Sequence, residues 1–148
     1  VTPTVRSHPG SVRRVKEFWQ AVGGVPLEMP ADQHDELVAR SSHLPHCLAA
    51  ALAHCVLDPR HPPAQATLCA TGFRDMTRLA TGSPEMWRDI AHANAGNLSQ
   101  ELGRFIEELQ RLQPILADED SGAISAFLET AKQRRDGWSA QRASPSSE

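Results

Sequence analysis

The chain has 148 residues, of which 40% are apolar, and a formal net charge of −3, with 15 Lys and Arg against 18 Asp and Glu. That length can build one compact domain with its own core, and the slight negative charge excludes a basic nucleic-acid binder. Cys47, Cys55 and Cys69 are odd in number and the first two fall on an apolar run, so buried free thiols are expected rather than a disulfide framework.

The opening VTPT, led by Val1 rather than Met, reads as the exit of a strand from a preceding domain, which makes the chain a fragment in expectation. In SVRRVKEFWQAVGG, Val12, Val15, Phe18, Trp19 and Val22 recur at helical spacing, with Ser11 placed to cap the start and Gly23 or Gly24 to end it in a left-handed turn. The preceding SHPG is read as a turn. GVPLEMP offers at most a short extended segment, and Pro26 confines any strand there to an edge. Pro30 suits the first turn of a second helix, which carries His34 near its start and turns Leu37 and Val38 inward.

Pro45 falls inside what would otherwise be one continuing helix, and it predicts a kink near Ser42 that frees backbone groups beside His43 and His46. The apolar run around residues 48–57 is interrupted by His54 and is too short to span a bilayer. No charged-then-apolar leader opens the chain, so no membrane association and a soluble, cytoplasmic protein are expected. LDPRHPPAQ is a connection, because its prolines cannot sit inside an element. A short helix through Arg78 follows, and then a longer one with Ser83 as N-cap and Pro84 at its first position.

Leu98, Leu102, Phe105, Leu109, Leu112 and Leu116 alternate spacings of four and three, the seam of a helix laid along another helix. Pro114 is expected to interrupt that seam. A last amphipathic helix uses Ile124, Phe127, Leu128 and Ala131. The domain boundaries predicted are residues 1–6 as the end of a missing N-terminal domain, 7–138 as the helical domain, and 139–148 as a disordered tail.

Two constellations invite chemistry. His34, His43 and His46 with Asp35 could be considered as zinc ligands, but their spacing matches neither an HExxH helix nor a Cys/His knuckle. The commoner fate of such histidines is to satisfy backbone groups at a kink. In GFRDMTR, Arg74 and Arg78 share a helix face and Asp75 can pair with Arg78. That arrangement fits a solvated surface ion pair or, with Gly72 and Phe73 approaching closely, a guanidinium fork offered to a carboxylate.

HDELVARSSHLPHCLAAAL followed by GFRDMTRLATGSPEMWRDI strongly resembles the C-terminal helical domain of prephenate dehydrogenases, a family that includes arogenate dehydrogenases. SHLPH, GFRDxTR and PExWRDI are specific only together, and the resemblance extends from VTPT to about residue 136. It implies an all-α helical-bundle dimerisation domain and a homodimer. It also implies oxidative decarboxylation of prephenate to 4-hydroxyphenylpyruvate in tyrosine biosynthesis. NAD or NADP would be bound by the missing N-terminal Rossmann domain, which would also supply the catalytic histidine. This chain has no G-x-G-x-x-G, so no catalytic, cofactor-binding or metal residue is assigned to it and it is expected to be inactive alone. By the resemblance, His46 and Arg78 bind a substrate carboxylate, His34 and Trp87 line or support the same pocket, Arg74 and Asp75 form an ion pair at the cleft entrance, and His43 supports the kinked helix. Ala70 and Thr71 depart from the family's glycine-rich lead-in. A freestanding, non-catalytic helical interaction module is the alternative.

Overall fold

The computed structural model describes residues 1–143. The described residues form helices and connections with no strand, an all-α chain. It divides into two units, Val1–Leu102 and Gly103–Glu148.

In the first unit, α1 (Pro9–Ala21) starts earlier than expected. SHPG is not a free turn: His8 is the N-cap, its Nδ1 accepting from the Gly10 amide at 3.1 Å, and Pro9 takes the first helical position. The far end closes as expected. Gly23 has φ 84°, its amide bonds the Gln20 carbonyl and the Gly24 amide bonds the Trp19 carbonyl at 2.8 Å, the paired bonds of a Schellman turn. The next segment runs extended, with the Met29 amide donating to the Val1 carbonyl at 3.2 Å.

Pro30 caps α2 (Ala31–Val38) from outside rather than occupying its first turn. The helix then passes into a π turn, Ala39–His43, before α3 (Leu44–Val56) begins with Pro45 in its first turn. The expected kink is therefore a widened turn. Pro45 cannot donate to the Ser41 carbonyl, and a π turn absorbs the missing bond without ending the helix. Ala39, Leu44, Ala49 and Leu98 are the buried apolar residues of this unit. Beside them, Arg40 grips the Glu101 carboxylate with Nε at 3.0 Å and Nη2 at 2.8 Å. Glu101 is 5% exposed and sits 61 residues away in sequence.

The proline-rich connection carries a single turn, α4 (Ala64–Thr67). Gly72 and Phe73 belong to α5 (Thr71–Thr77) instead of leading into it, and Arg78 opens a 3₁₀ turn, Arg78–Thr81. This turn and α5 both pack on α3. Ser83 caps α6 (Pro84–Ala93) as expected, its Oγ accepting from the Met86 amide at 3.3 Å. Cys47 and Cys69 are half-buried free thiols, whereas Cys55 is exposed, contrary to expectation, because it lies on the solvent side of α3.

α7 (Ala95–Ala117) begins in the first unit and ends in the second. Pro114 does not interrupt it: the helix continues past the proline, with the Asp118 amide bonding the Pro114 carbonyl at 2.9 Å. Glu119, at φ 52°, turns the chain, and Asp120 Oδ1 accepts from the Gly122 and Ala123 amides to start α8 (Ser121–Ala143). The expected tail at 139–148 is thus helical through Ala143, and 144–148 lie outside the described residues. Trp138 holds that last stretch, with the Arg135 and Arg142 guanidinium carbons 4.5 and 5.3 Å from its ring centre. In this second unit Phe105, Leu112, Ile124 and Phe127 are half-buried and Leu109, Leu116 and Leu128 are exposed; no described residue is buried. No helix of the described residues is long and apolar enough to cross a membrane.

Arg40→Ala removes a bidentate, charge-assisted pair from a carboxylate that has almost no solvent. It should lower the midpoint of thermal unfolding clearly. Arg60→Ala, which removes the exposed pair with Asp58, should move it far less. Circular dichroism melts of the two variants compare them directly.

Candidate functional site

His43, His46, Cys47, Ala50 and His54 recur along one face of the π turn and α3. Facing them are Trp87 of α6 and the Leu79–Gly82 stretch, and together they enclose a cavity of about 300 Å³. The Ser83 cap fixes where α6 starts and hence where Trp87 stands. Gly82 lets the indole come close: a Cβ on Gly82 would lie 2.8 Å from Trp87 Nε1 and 2.9 Å from its Cδ1. The glycine is required here for space, since its backbone is extended at φ −65°, ψ 161°.

The indole meets two imidazoles. His46 stacks on it with ring centres 3.3 Å apart and planes 21° from parallel, while His43 meets it edge-on at 6.2 Å and 78°. His46 Nδ1 is buried and has no hydrogen-bond partner among the described residues. A buried polar atom left so is costly unless a ligand or water completes it. His43 is completed differently, its Nδ1 lying 3.2 Å from the Asn94 amide nitrogen. Burial holds the His43 imidazole below its ordinary pKa; Asp35 opposes this and His34 and His46 reinforce it. The net lowering favours the uncharged ring. Burial also pushes the Cys47 thiol up, which favours its protonated form. The cavity is lined largely by imidazole, indole and aliphatic groups.

An arginine lies on the adjoining turn. Arg78 opens the turn whose Leu79 and Ala80 wall the cavity, and its exposed guanidinium has no side-chain partner among the described residues. The expected pairs of Asp75 with Arg78 and of Arg74 with Asp75 do not form among the described residues. Adjacent helical residues point about 100° apart, and the tightening to a 3₁₀ turn at Arg78 alters the three-residue register with Asp75. His34 also stands apart from His46: its Nδ1 lies 2.9 Å from Asp35 Oδ1, and it lines a separate cavity of about 470 Å³ with Trp19 and Leu37.

Of the residues expected at the site, the structure therefore joins His46 and Trp87, sets Arg78 on an adjoining turn, and leaves His34, Arg74 and Asp75 elsewhere. Gly82 and Asn94 were not expected. Gly82 carried a signal in its place just before a Ser-Pro cap; Asn94 carried none, because its partners are 51 and 59 residues away.

A family model described as prephenate dehydrogenase, dimerization domain, matches residues 30–132. The prephenate dehydrogenase of Bacillus subtilis (strain 168) is 31% identical over 138 residues, which are 93% of this chain and 37% of that protein. The cyclohexadienyl dehydrogenase of Zymomonas mobilis is 31% identical over 137 residues, 90% of this chain and 47% of that protein. Among solved structures, prephenate dehydrogenase from A. aeolicus in complex with hydroxyphenyl propionate and NAD⁺ superposes with a TM-score of 0.82 at 31% identity, over 92% of this chain and 48% of that one. The chain spans less than half the length of each of these three relatives.

Gly82→Ala tests the stack. Its methyl group would overlap the indole, forcing Trp87 to move at a cost of about 1–3 kcal/mol. The Trp87 indole N–H resonance should shift and the thermal midpoint fall, whereas Gly72→Ala, where a Cβ meets nothing within 4 Å, should leave that resonance in place.

Proposed function

The chain belongs to the prephenate dehydrogenase dimerization-domain family, and we propose that it is the C-terminal, substrate-binding and dimerising part of a cytoplasmic enzyme that oxidatively decarboxylates prephenate or arogenate. With prephenate, the ring carboxylate leaves as carbon dioxide, a hydride passes to NAD or NADP, and 4-hydroxyphenylpyruvate is formed. The observation that carries this reading is the His46–Trp87 stack, with a buried Nδ1 that has no partner among the described residues, beside a turn bearing an arginine with no side-chain partner among them.

In this reading Trp87 and His46 receive the ring, His46 Nδ1 completes its hydrogen bonding on a substrate oxygen, and the Arg78 fork takes a carboxylate. His34, Arg74 and Asp75 stand outside the substrate contacts. The described residues do not fit a dinucleotide: without a strand there is no strand-to-helix glycine loop to cradle a pyrophosphate. The dinucleotide and the hydride-transfer machinery are assigned to a Rossmann domain elsewhere in the enzyme. The exposed Leu109, Leu116 and Leu128 support a homodimer in which a second copy covers α7 and α8.

In the complete dehydrogenase, Arg78→Ala should raise KM for prephenate by about ten- to a hundredfold, the worth of one charge-assisted contact, and leave KM for the dinucleotide nearly unchanged. Arg78→Lys should recover part of the loss, keeping charge without the fork. Steady-state kinetics in which Arg78→Ala moved only the dinucleotide constant would sink the assignment. For assembly, Phe105→Asp sets an unpaired charge in the middle of the α7 seam. Sedimentation equilibrium should find this variant monomeric or unfolded where the parent chain is a dimer; a parent monomeric at micromolar concentration would refute the homodimer.

A further inference from the structure

Asn94 is 7% exposed and follows α6 directly. Its side-chain nitrogen donates to the Asp35 backbone carbonyl at 2.7 Å, and the same nitrogen lies 3.2 Å from His43 Nδ1. Its oxygen accepts from Asn97 Nδ2 at 2.9 Å. These contacts leave no freedom in the orientation of the amide. A backbone carbonyl only accepts, so the atom facing Asp35 must be the NH₂. The second hydrogen of that NH₂ then meets His43 Nδ1, which must supply a lone pair. The ring proton is thereby placed on Nε2.

We propose that Asn94 is a positioning residue that locks His43 in the Nε2–H tautomer, so that His43 offers the pocket's ligand an uncharged N–H donor. Such a donor suits a hydroxyl or keto oxygen and leaves recognition of the carboxylate to Arg78. An Nδ1–H would confront the Asn94 NH₂ donor to donor, so imidazolium and the other tautomer are both opposed by the same amide. The edge-on contact with Trp87 holds the ring plane while the amide holds the proton. The part of this inference that concerns the ligand rests on reading the cavity as the prephenate site; the tautomer does not.

Long-range ¹H–¹⁵N correlation spectra of the 148-residue chain test the tautomer without any substrate. At pH 7 the His43 signals should be those of a neutral ring protonated on Nε2. An Nδ1–H or imidazolium pattern would overturn the proposal, whatever the enzyme acts on. Asn94→Leu should release the ring to populate both tautomers, and an unchanged pattern in a folded variant would count against the lock. In the complete dehydrogenase, His43→Phe should raise KM for prephenate about three- to tenfold with kcat little changed, and His43→Gln, which keeps an N–H near the position of Nε2, should recover part of that loss. A His43→Phe enzyme with unaltered KM would remove His43 from ligand binding while leaving the spectroscopic result standing.

Discussion

Pro45 brings no amide hydrogen to the Ser41 carbonyl, and its ring crowds the turn behind it, so an ordinary α-helix cannot run unaltered from α2 into α3. The π turn at Ala39–His43 is the accommodation. Its extra residue per turn advances everything upstream relative to everything downstream, and three of the four contacts that define this unit use residues at that turn or just past it. Arg40 reaches Glu101, His43 reaches Asn94, and His46 lies flat on Trp87. The fourth, Asn94 on the Asp35 carbonyl, clamps the helix just before it widens. π turns recur at functional sites for this reason: they re-aim side chains without giving up the helix.

These contacts sort by charge. The ionic one lies outside the cavity lining and ties α7 to the π turn, with the buried Glu101 held by an arginine that keeps half its surface in water. The cavity itself is lined largely by imidazole, indole and aliphatic groups, and Arg78 belongs to the turn that supplies Leu79 and Ala80 to its wall. A ligand bearing both a ring and a carboxylate would meet the two kinds of surface separately. Desolvating a ring against Trp87 then need not desolvate a charge in the same place, which keeps the cost of burial low.

What could be read from the residues was local. The Ser83-Pro84 start of α6, the glycine stop of α1 and the disturbance at Pro45 each follow from the φ preference or hydrogen-bonding capacity of a residue at that position. Structure departs from local expectation where neighbours decide. Histidine is a weaker cap signal than serine, yet the cap falls on His8 and not on Ser11. Pro114 lies close enough to the end of α7 that the helix tolerates it. The Asp75–Arg78 pair presumed an α-helix where the backbone tightens to 3₁₀. Arg40 with Glu101 and Asn94 with His43 are pairings across more than fifty residues, and no local periodicity encodes them. The family motifs located the cavity because SHLPH and PExWRDI carry the two rings of the stack; they did not say that His34 would turn to another cavity.

The sparse interior has a thermodynamic consequence. Among the described residues, no large side chain is fully buried, and the second unit has no buried residue at all. Folding must offset roughly 1–2 kcal/mol of backbone entropy for every residue ordered, and helices with half-covered faces recover little of that by themselves. Where a second copy supplies the missing cover, folding and association become a single equilibrium governed by mass action. Dilution then acts as a denaturant, and a melting temperature for this chain has meaning only alongside the concentration at which it was measured.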